Sequence, residues 1–302
     1  MVTRYLVDIP EREIEAVHRL LKMPIIAEQF FWSLGVNPVF SWYLLQIRKD
    51  RIVSSLPGDV DILAGKLSWK DPKEFESLVA AEAKDRPNID PSWHFDFAAR
   101  KLADLGGIKW PPATDYLVGI EAKCAYLLPH ANSISKDTIK SKKSSPGKVR
   151  KIRKQIENLL EMGFNKVALL DIIANPPASG PDGQAWLMAL DIASTSEDEM
   201  STVFSERLPA NSPAGHWVWS IGSVIGGDES MRGAGAPVQL RIAQENPFLQ
   251  VNSEIQSRRQ EMERNLSTIL GNLPLPCAFP VILVDCRICG RIHRMDVVCN
   301  NT

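Results

Sequence analysis

The sequence predicts an α/β fold, and three observations support this prediction. Residues 116–128 and 167–173 are apolar runs of strand length, and the second has the composition of a strand buried on both faces. Between them, residues 149–162 place apolar side chains such as Ile152 and Ile156 at helical spacing. A strand, a helix and a second strand in this order are typical of a parallel crossover, and such crossovers are right-handed in nearly all proteins.

The remaining elements follow from periodicity and from turn residues. Helices are predicted over residues 10–34, 72–84, 95–105 and, as one long helix, 248–269. Further strands are predicted at 59–63, 186–192, 217–225, 238–242 and 281–284, whereas 40–53 fits either type. We expect a core over 1–180 with a helical insertion at about 70–106, followed over 181–302 by added strands, the long helix and a cysteine-containing hairpin.

Composition limits the function classes. The 302 residues are 44% hydrophobic and carry a formal net charge of −1, so neither a disordered chain nor a uniformly basic nucleic-acid binder is expected. No apolar run approaches the roughly 18 residues of a membrane span, and early charges leave no secretory segment, so we expect a cytoplasmic protein without membrane partners. Five cysteines, three of them near the C-terminus, favour a metal site over a disulfide framework.

Two short segments carry the candidate chemistry. Residues 58–63 read Gly-Asp-Val-Asp-Ile-Leu, and residues 119–125 read Gly-Ile-Glu-Ala-Lys-Cys-Ala. In an extended strand, Asp59 and Asp61 would share one face, as would Glu121 and Lys123. Ionised groups next to a core cost several kcal/mol, roughly, unless a metal, a partner or water compensates them. A divalent cation bound by these carboxylates is one such compensation.

This pattern, an Asp on one strand followed by Glu-x-Lys on a later strand, resembles that of the PD-(D/E)xK nuclease superfamily, which has a restriction-endonuclease-like fold. The resemblance covers about residues 10–175 and implies a mixed central sheet flanked by helices. It implies that Asp61, Glu121 and the Ala122 carbonyl bind Mg²⁺ or Mn²⁺, with Asp59 as a helper ligand. Lys123 would place a positive charge beside the scissile phosphate.

Other residues compete with these or add to them. Asp90, Asp96 and Asp115 are alternative first carboxylates, although they lie in a loop, in a helical pattern and very close to Glu121, respectively. Gln155 lies in the helix where some branches of the superfamily carry a Gln that orients the site, so it is either a catalytic residue or a solvated one. Glu28 matches the place where some members add a further acid, but a solvated role is the simpler interpretation.

A basic segment follows the Glu-x-Lys strand. Against the single acid Asp137, residues 136–154 carry nine cations. Eight of them are predicted to bind nucleic acid, namely Lys140, Lys142, Lys143, Lys148, Arg150, Lys151, Arg153 and Lys154. Contacts of this kind neutralise phosphates and carry little sequence information.

The C-terminal cysteines form a second motif. Cys286-x-x-Cys289-Gly resembles one knuckle of a zinc ribbon, and His293 and Cys299 are the nearest further ligands, with Cys277 in reserve. No second Cys-x-x-Cys is present, so the alternative of reduced, partly buried thiols in a hairpin stays open.

The combined motifs predict a metal-dependent nuclease that hydrolyses phosphodiester bonds, with DNA preferred over RNA and an endonuclease as the leading form. The alternative is a nucleic-acid-binding protein that keeps the fold and a zinc knuckle but does not cleave. Glycoside hydrolysis by the carboxylates is a third interpretation, which Lys123 and the basic segment disfavour. The sequence allows a homodimer without deciding for it.

Overall fold

The computed structural model describes residues 5–8, 10, 13–22, 27–89, 91–128, 146–174, 203–221, 238–274 and 279–295. The chain divides into two compact units, each built from two segments. Unit 1 contains residues 1–35 and 118–256, and unit 2 contains residues 36–117 and 257–302. Both units combine helices with a mixed sheet, so the predicted α/β class is confirmed.

The sheet of unit 1 is centred on three parallel strands. Its strands are β1 (Tyr5–Asp8), β6 (Leu117–Leu128), β7 (Lys166–Ala174), β8 (Gly215–Ile221) and β9 (Val238–Arg241). Strand β7 pairs in parallel with β6 on one side and with β8 on the other, while β1 and β9 add antiparallel to β6 and β8. The strand, helix and strand over 117–174 therefore form the predicted parallel crossover.

The helices of unit 1 are distributed over both of its chain segments. They are α1 (Glu13–Lys22), α2 (Glu28–Ser33), α6 (Pro146–Met162) and α7 (Phe248–Val251). In α6, Ile152, Ile156 and Leu159 are buried as predicted. The helix begins three residues earlier than predicted, because Pro146 occupies its first position, where a missing amide proton costs nothing.

The sheet of unit 2 contains β2 (Ser41–Arg48), β3 (Asp59–Lys66), β10 (Val281–Asp285) and β11 (Ile292–Arg294). Strand β2 pairs antiparallel with β3 and in parallel with β10, which continues antiparallel into β11. The segment 40–53, which the sequence left undecided, is strand β2 followed by the short helix α3 (Lys49–Ile52). A small pair, β4 (Ser68–Trp69) and β5 (Ile108–Lys109), lies apart from this sheet.

The predicted helical insertion is present in unit 2 as α4 (Pro72–Asp85) and α5 (Pro91–Asp104). The Asp71 carboxylate caps α4 by accepting hydrogen bonds from the Lys73 and Glu74 amides.

The long C-terminal helix is interrupted near its start. Helix α8 (Ser253–Gly271) begins after α7 because the Asn252 side chain accepts hydrogen bonds from the Glu254 and Ile255 amides. The prediction of one continuous helix with Phe248 and Val251 on its apolar stripe is therefore wrong, since both side chains are exposed.

The predicted strand at 186–192 and the predicted domain boundary near 180 lie outside the described residues. Among the helices that the structure describes, none has the length and apolar composition needed to cross a bilayer.

Candidate functional site

In unit 1, the Glu-x-Lys motif lies on the central strand β6. Glu121 is only 1% exposed, and the carboxylate oxygen Oε1 lies 2.6 Å from the Lys123 ammonium nitrogen. The same ammonium donates to the Ala122 carbonyl oxygen at 2.9 Å. Lys123 thus contacts two of the groups that the resemblance assigns to a divalent cation, the Glu121 carboxylate and the Ala122 carbonyl.

Helix α1 supplies a second carboxylate to this group. Glu13 Oε2 lies 3.5 Å from the Lys123 ammonium nitrogen. The sequence analysis did not single out Glu13 and considered Glu28, which lies half-buried at the start of α2. The available signal was the position of Glu13 in the first turn of a helix that precedes the sheet, but that position alone does not distinguish it from Glu15.

A glycine lets the strand pack closely at the start of the motif. A Cβ atom at Gly119 would lie 2.8 Å from the buried ring of Phe164, which is closer than real side chains approach. The glycine is therefore needed for strand β6 to contact the turn that leads into β7.

The face of the sheet that carries Glu121 and Lys123 continues with further charged side chains. Lys123 is the register partner of Asp171 on β7. On β8, His216 lies two residues before the register partner of Asp171, so its side chain is on the same face of the sheet. The Asp171 carboxylate contacts His216 Nε2 at 2.8 Å and Arg207 Nη1 at 3.1 Å. All three side chains are buried.

Arg207 joins this group to strand β1. Its Nη2 atom donates to Asp8 Oδ1 at 2.6 Å, and Lys148 at the start of α6 lies 3.8 Å from the other Asp8 oxygen. Burial would lower the pKa of the Arg207 guanidinium, but the charges of Asp171 and Asp8 outweigh burial and raise it. We refer to Asp8, Asp171, Arg207 and His216 as the buried charge network.

The sequence analysis did not find this network. His216 has no ligand spacing in the sequence, and Asp171 lies within the apolar run 167–173. A charged residue inside a fully buried strand was the one available signal, since such a residue requires a partner.

Helix α6 presents the described part of the basic segment. Arg150, Lys151 and Lys154 are exposed on it, whereas Arg153 donates to the Glu206 carbonyl from Nε at 2.9 Å. Gln155 is half-buried in the same helix. The predicted contacts of Lys140, Lys142 and Lys143 lie outside the described residues.

In unit 2, the Asp-x-Asp segment opens strand β3. Asp61 is half-buried between the buried side chains of Val60 and Ile62, and Asp59 is exposed. The register pairs Ile62 with Leu45 and Val60 with Ile47, which places Gln46 opposite Asp61. Gln46 has a positive φ of 51°, an unusual backbone conformation for a residue other than glycine.

The predicted zinc knuckle forms a compact group of sulfur and nitrogen ligands. Ligand atoms of Cys286, Cys289 and His293 lie within 4.8 Å of one another, so these residues could hold a metal ion. The turn is closed by a hydrogen bond from the Gly290 amide to the Cys286 carbonyl, with Gly290 at a φ of +68°. Cys299 and Cys277 lie outside the described residues.

Local hydrogen bonds prepare the knuckle for a metal. The Cys289 amide, then His293, then the Ile288 amide lower the pKa of the Cys286 thiol to about 6, so the thiol is largely ionised at neutral pH. His293 Nδ1 lies 2.9 Å from the Arg294 carbonyl, to which it donates when protonated, and this leaves Nε2 for a metal. The hydrogen bond to Arg294 and the contact with Cys286 raise the pKa of His293.

Comparison of the chain with models of protein families, with curated proteins and with solved structures finds no match. The superfamily resemblance thus depends on the residues described above.

Proposed function

We propose that the protein is a metal-dependent nuclease that hydrolyses phosphodiester bonds, with DNA as its preferred substrate. The observation that carries this proposal is the contact of one ammonium group, that of Lys123, with the Glu121 carboxylate and the Ala122 carbonyl. The order of helices α1 and α2, strands β2, β3 and β6, helix α6 and strand β7 supports a restriction-endonuclease-like core.

The chemistry of these donors fits a divalent cation. Glu121, Ala122 and Glu13 present oxygen atoms to one positive group, and hard oxygen ligands are those that Mg²⁺ and Mn²⁺ prefer. The sequence analysis assigns Asp61 to the same cation.

Each residue has a role in the proposed reaction. A bound Mg²⁺ would polarise the phosphoryl oxygens and lower the pKa of an attacking water. Glu121 would bind the cation through its carboxylate. Its near-complete burial excludes water, which strengthens the attraction between the two charges. Lys123 would stabilise the negative charge that develops on the phosphoryl group. The exposed cations Arg150, Lys151 and Lys154 would bind neighbouring phosphates in a salt-dependent manner.

We further propose zinc as the metal of the Cys286, Cys289 and His293 group, with Cys299 as the fourth ligand. Two thiolates and one imidazole are a donor set that suits Zn²⁺ rather than Mg²⁺. Its proposed role is structural, because three ligands come from one short hairpin.

Cleavage of supercoiled plasmid and of single-stranded DNA tests the nuclease proposal. Wild-type protein should cleave with Mg²⁺ or Mn²⁺ and not with a chelator, and Glu121→Gln and Lys123→Met should each reduce the rate at least about 100-fold because charge stabilisation is lost. Glu157→Gln on the exposed side of α6 is the matched control and should cleave normally. Asp61→Asn tests the further ligand in the same assay.

Normal cleavage by folded Glu121→Gln protein, with folding checked by circular dichroism, would contradict the proposal. RNA is the next substrate if DNA is not cleaved. Salt-dependent DNA binding without cleavage of either substrate would favour the alternative of a non-catalytic nucleic-acid-binding protein. Exposed cations on α6 support binding in both cases.

A further inference from the structure

Arg287 lies between the two cysteines of the knuckle, but its side chain contacts the acidic strand. An Nη2 atom lies 2.6 Å from Asp59 Oδ1 and 3.3 Å from the Gln46 carbonyl oxygen. Asp59 opens strand β3, and Gln46 is the residue of β2 opposite Asp61. One side chain therefore connects a candidate metal centre to strand β3, which carries Asp61, and to the neighbouring strand β2.

Other contacts anchor the knuckle to the same part of unit 2. Asp285, the residue before Cys286, is buried and lies 3.3 Å from Arg48 Nε and 3.2 Å from Arg51 Nε. Arg51 also donates to the Gly290 carbonyl. Because Arg48 is the register partner of Asp59, these contacts join the base of the knuckle to the point where β3 begins.

The backbone at Gln46 gives this connection a structural consequence. A non-glycine residue at positive φ is strained and persists where its surroundings hold it in place. The carbonyl of Gln46 accepts the hydrogen bond from Arg287. Movement of Arg287 would thus remove one of the contacts that hold the strained residue beside Asp61.

We propose that Arg287 is a positioning residue that couples metal binding in the knuckle to the position of strands β2 and β3 at Asp61. A metal on Cys286 and Cys289 fixes the intervening residues and so holds Arg287 on Asp59 and Gln46. This inference rests on the proposed zinc and assigns the knuckle a role at the proposed cation ligand. By thermodynamic reciprocity, the contact between Arg287 and Asp59 must in turn strengthen metal binding.

The expected coupling is small because the pair faces an open cleft. The Asp59 and Arg287 side chains are 49% and 46% exposed, and both line a cleft of about 460 Å³. Exposed ion pairs of this kind are worth up to about 1 kcal/mol, which corresponds to roughly a twofold to fivefold change in affinity.

A double-mutant cycle on zinc affinity tests the coupling in the full-length chain. Zinc content is measured first, and one atom per chain is expected, lost in Cys289→Ser. Affinity is then measured by competition with a chromophoric chelator for wild type, Asp59→Asn, Arg287→Met and the double variant. Each single variant should weaken zinc binding about twofold to fivefold. The double variant should lose no more affinity than the single variant with the larger loss.

Arg291→Met is the matched control. Arg291 is exposed in the same turn and carries the same charge, so this variant accounts for the loss of a positive charge near the thiolates. Its zinc affinity should equal that of wild type. Additive losses in the Asp59 and Arg287 cycle, or equal losses in Arg287→Met and Arg291→Met, would overturn the inference, as would absence of zinc binding.

Hydrogen exchange gives a second readout that a purely local role would not change. Removal of zinc from wild type should increase amide exchange at Val60 and Ile62, whereas Arg287→Met with zinc bound should already show the faster exchange. Unchanged exchange in both cases would overturn the inference. Neither readout uses cleavage, so a failure of the nuclease proposal is distinguished from a failure of the coupling.

Discussion

The two units hold their charged side chains in different ways. In unit 1, Arg207 and Asp171 are 1% and 0% exposed, and each compensates the other. In unit 2, the Asp285 carboxylate is equally buried, but its partners Arg48 and Arg51 are 38% and 22% exposed. Arg207 and Asp171 therefore depend on each other, whereas Arg48 and Arg51 have water as a second source of stabilisation.

This difference explains which unit suits which role. A buried ion pair is costly to break, because the remaining charge has no partner in a medium of low polarity. Such a network fixes the face of the sheet that carries Glu121 and Lys123 and tolerates little movement. The half-exposed contacts of unit 2 can be exchanged for water at small cost, which suits a positioning contact such as that of Arg287 with Asp59.

The largest effect is expected from removing the centre of the buried charge network. Arg207→Met leaves Asp8 and Asp171 without their shared cation and should lower the free energy of unfolding by about 3–5 kcal/mol. Urea unfolding followed by circular dichroism measures this change.

Arg207→Lys and Arg150→Met complete this test. The lysine variant keeps the charge but not the two-pronged geometry, so its loss should be intermediate. Arg150→Met, on the exposed side of α6, should stay within about 0.5 kcal/mol of wild type. A loss below about 1 kcal/mol for Arg207→Met would show that unit 1 does not depend on this network.

A smaller effect is expected from the corresponding change in unit 2. Asp285→Asn removes the charge that Arg48 and Arg51 share but keeps an oxygen that can accept from the Arg48 amide. Because both arginines can turn to water, the expected loss is about 1 kcal/mol, measured by the same urea titration. Asp50→Asn, an exposed neighbour, serves as the control. A loss as large as that of Arg207→Met would remove the contrast between the units.

Local features of the fold were predictable from the sequence. Strand β6, helix α6 and strand β7 were predicted because long runs with one period identify an element without knowledge of its partners. Even the break before α8 had a local signal, since Asn252 followed by Ser253 and Glu254 is a typical helix start. The close grouping of Cys286, Cys289 and His293 was predicted for the same reason, because all three lie within eight residues.

Partners far apart in the chain were not predictable. Arg207 and Asp8 are 199 positions apart, and Arg48 and Asp285 are 237 apart. No periodicity relates such positions, and each of these charged residues, taken alone, is of a type that usually lies on the solvated surface. The contact of Arg287 with Asp59 has the same origin, so the sequence could describe Asp59 as a helper ligand but could not identify its arginine partner.

The smallest effect is expected where helix α8 meets the turn before β3. The Glu261 carboxylate accepts hydrogen bonds from the Ser54 hydroxyl at 2.7 Å and the Ser54 amide at 2.9 Å, and these lower the pKa of Glu261 from its usual value. A carboxyl whose pKa is lowered on folding contributes stability above its unfolded pKa and loses it as pH falls through the folded value. Ser54→Ala should therefore destabilise by less than about 1 kcal/mol at pH 7, while Ser55→Ala should have no effect.

The pH dependence makes this small effect diagnostic. Below the pKa that Glu261 has in the folded chain and below the one it has in the unfolded chain, the carboxyl is protonated in both states. Wild type and Ser54→Ala should then unfold at closely similar urea concentrations. A difference that persists unchanged at a pH where Glu261 is protonated in both states would mean that the Ser54 hydroxyl acts through packing and not through the charge of Glu261. A loss greater than that of Asp285→Asn would mean that exposed contacts of unit 2 are not readily replaced by water, which would also weaken the basis for a small coupling at Arg287.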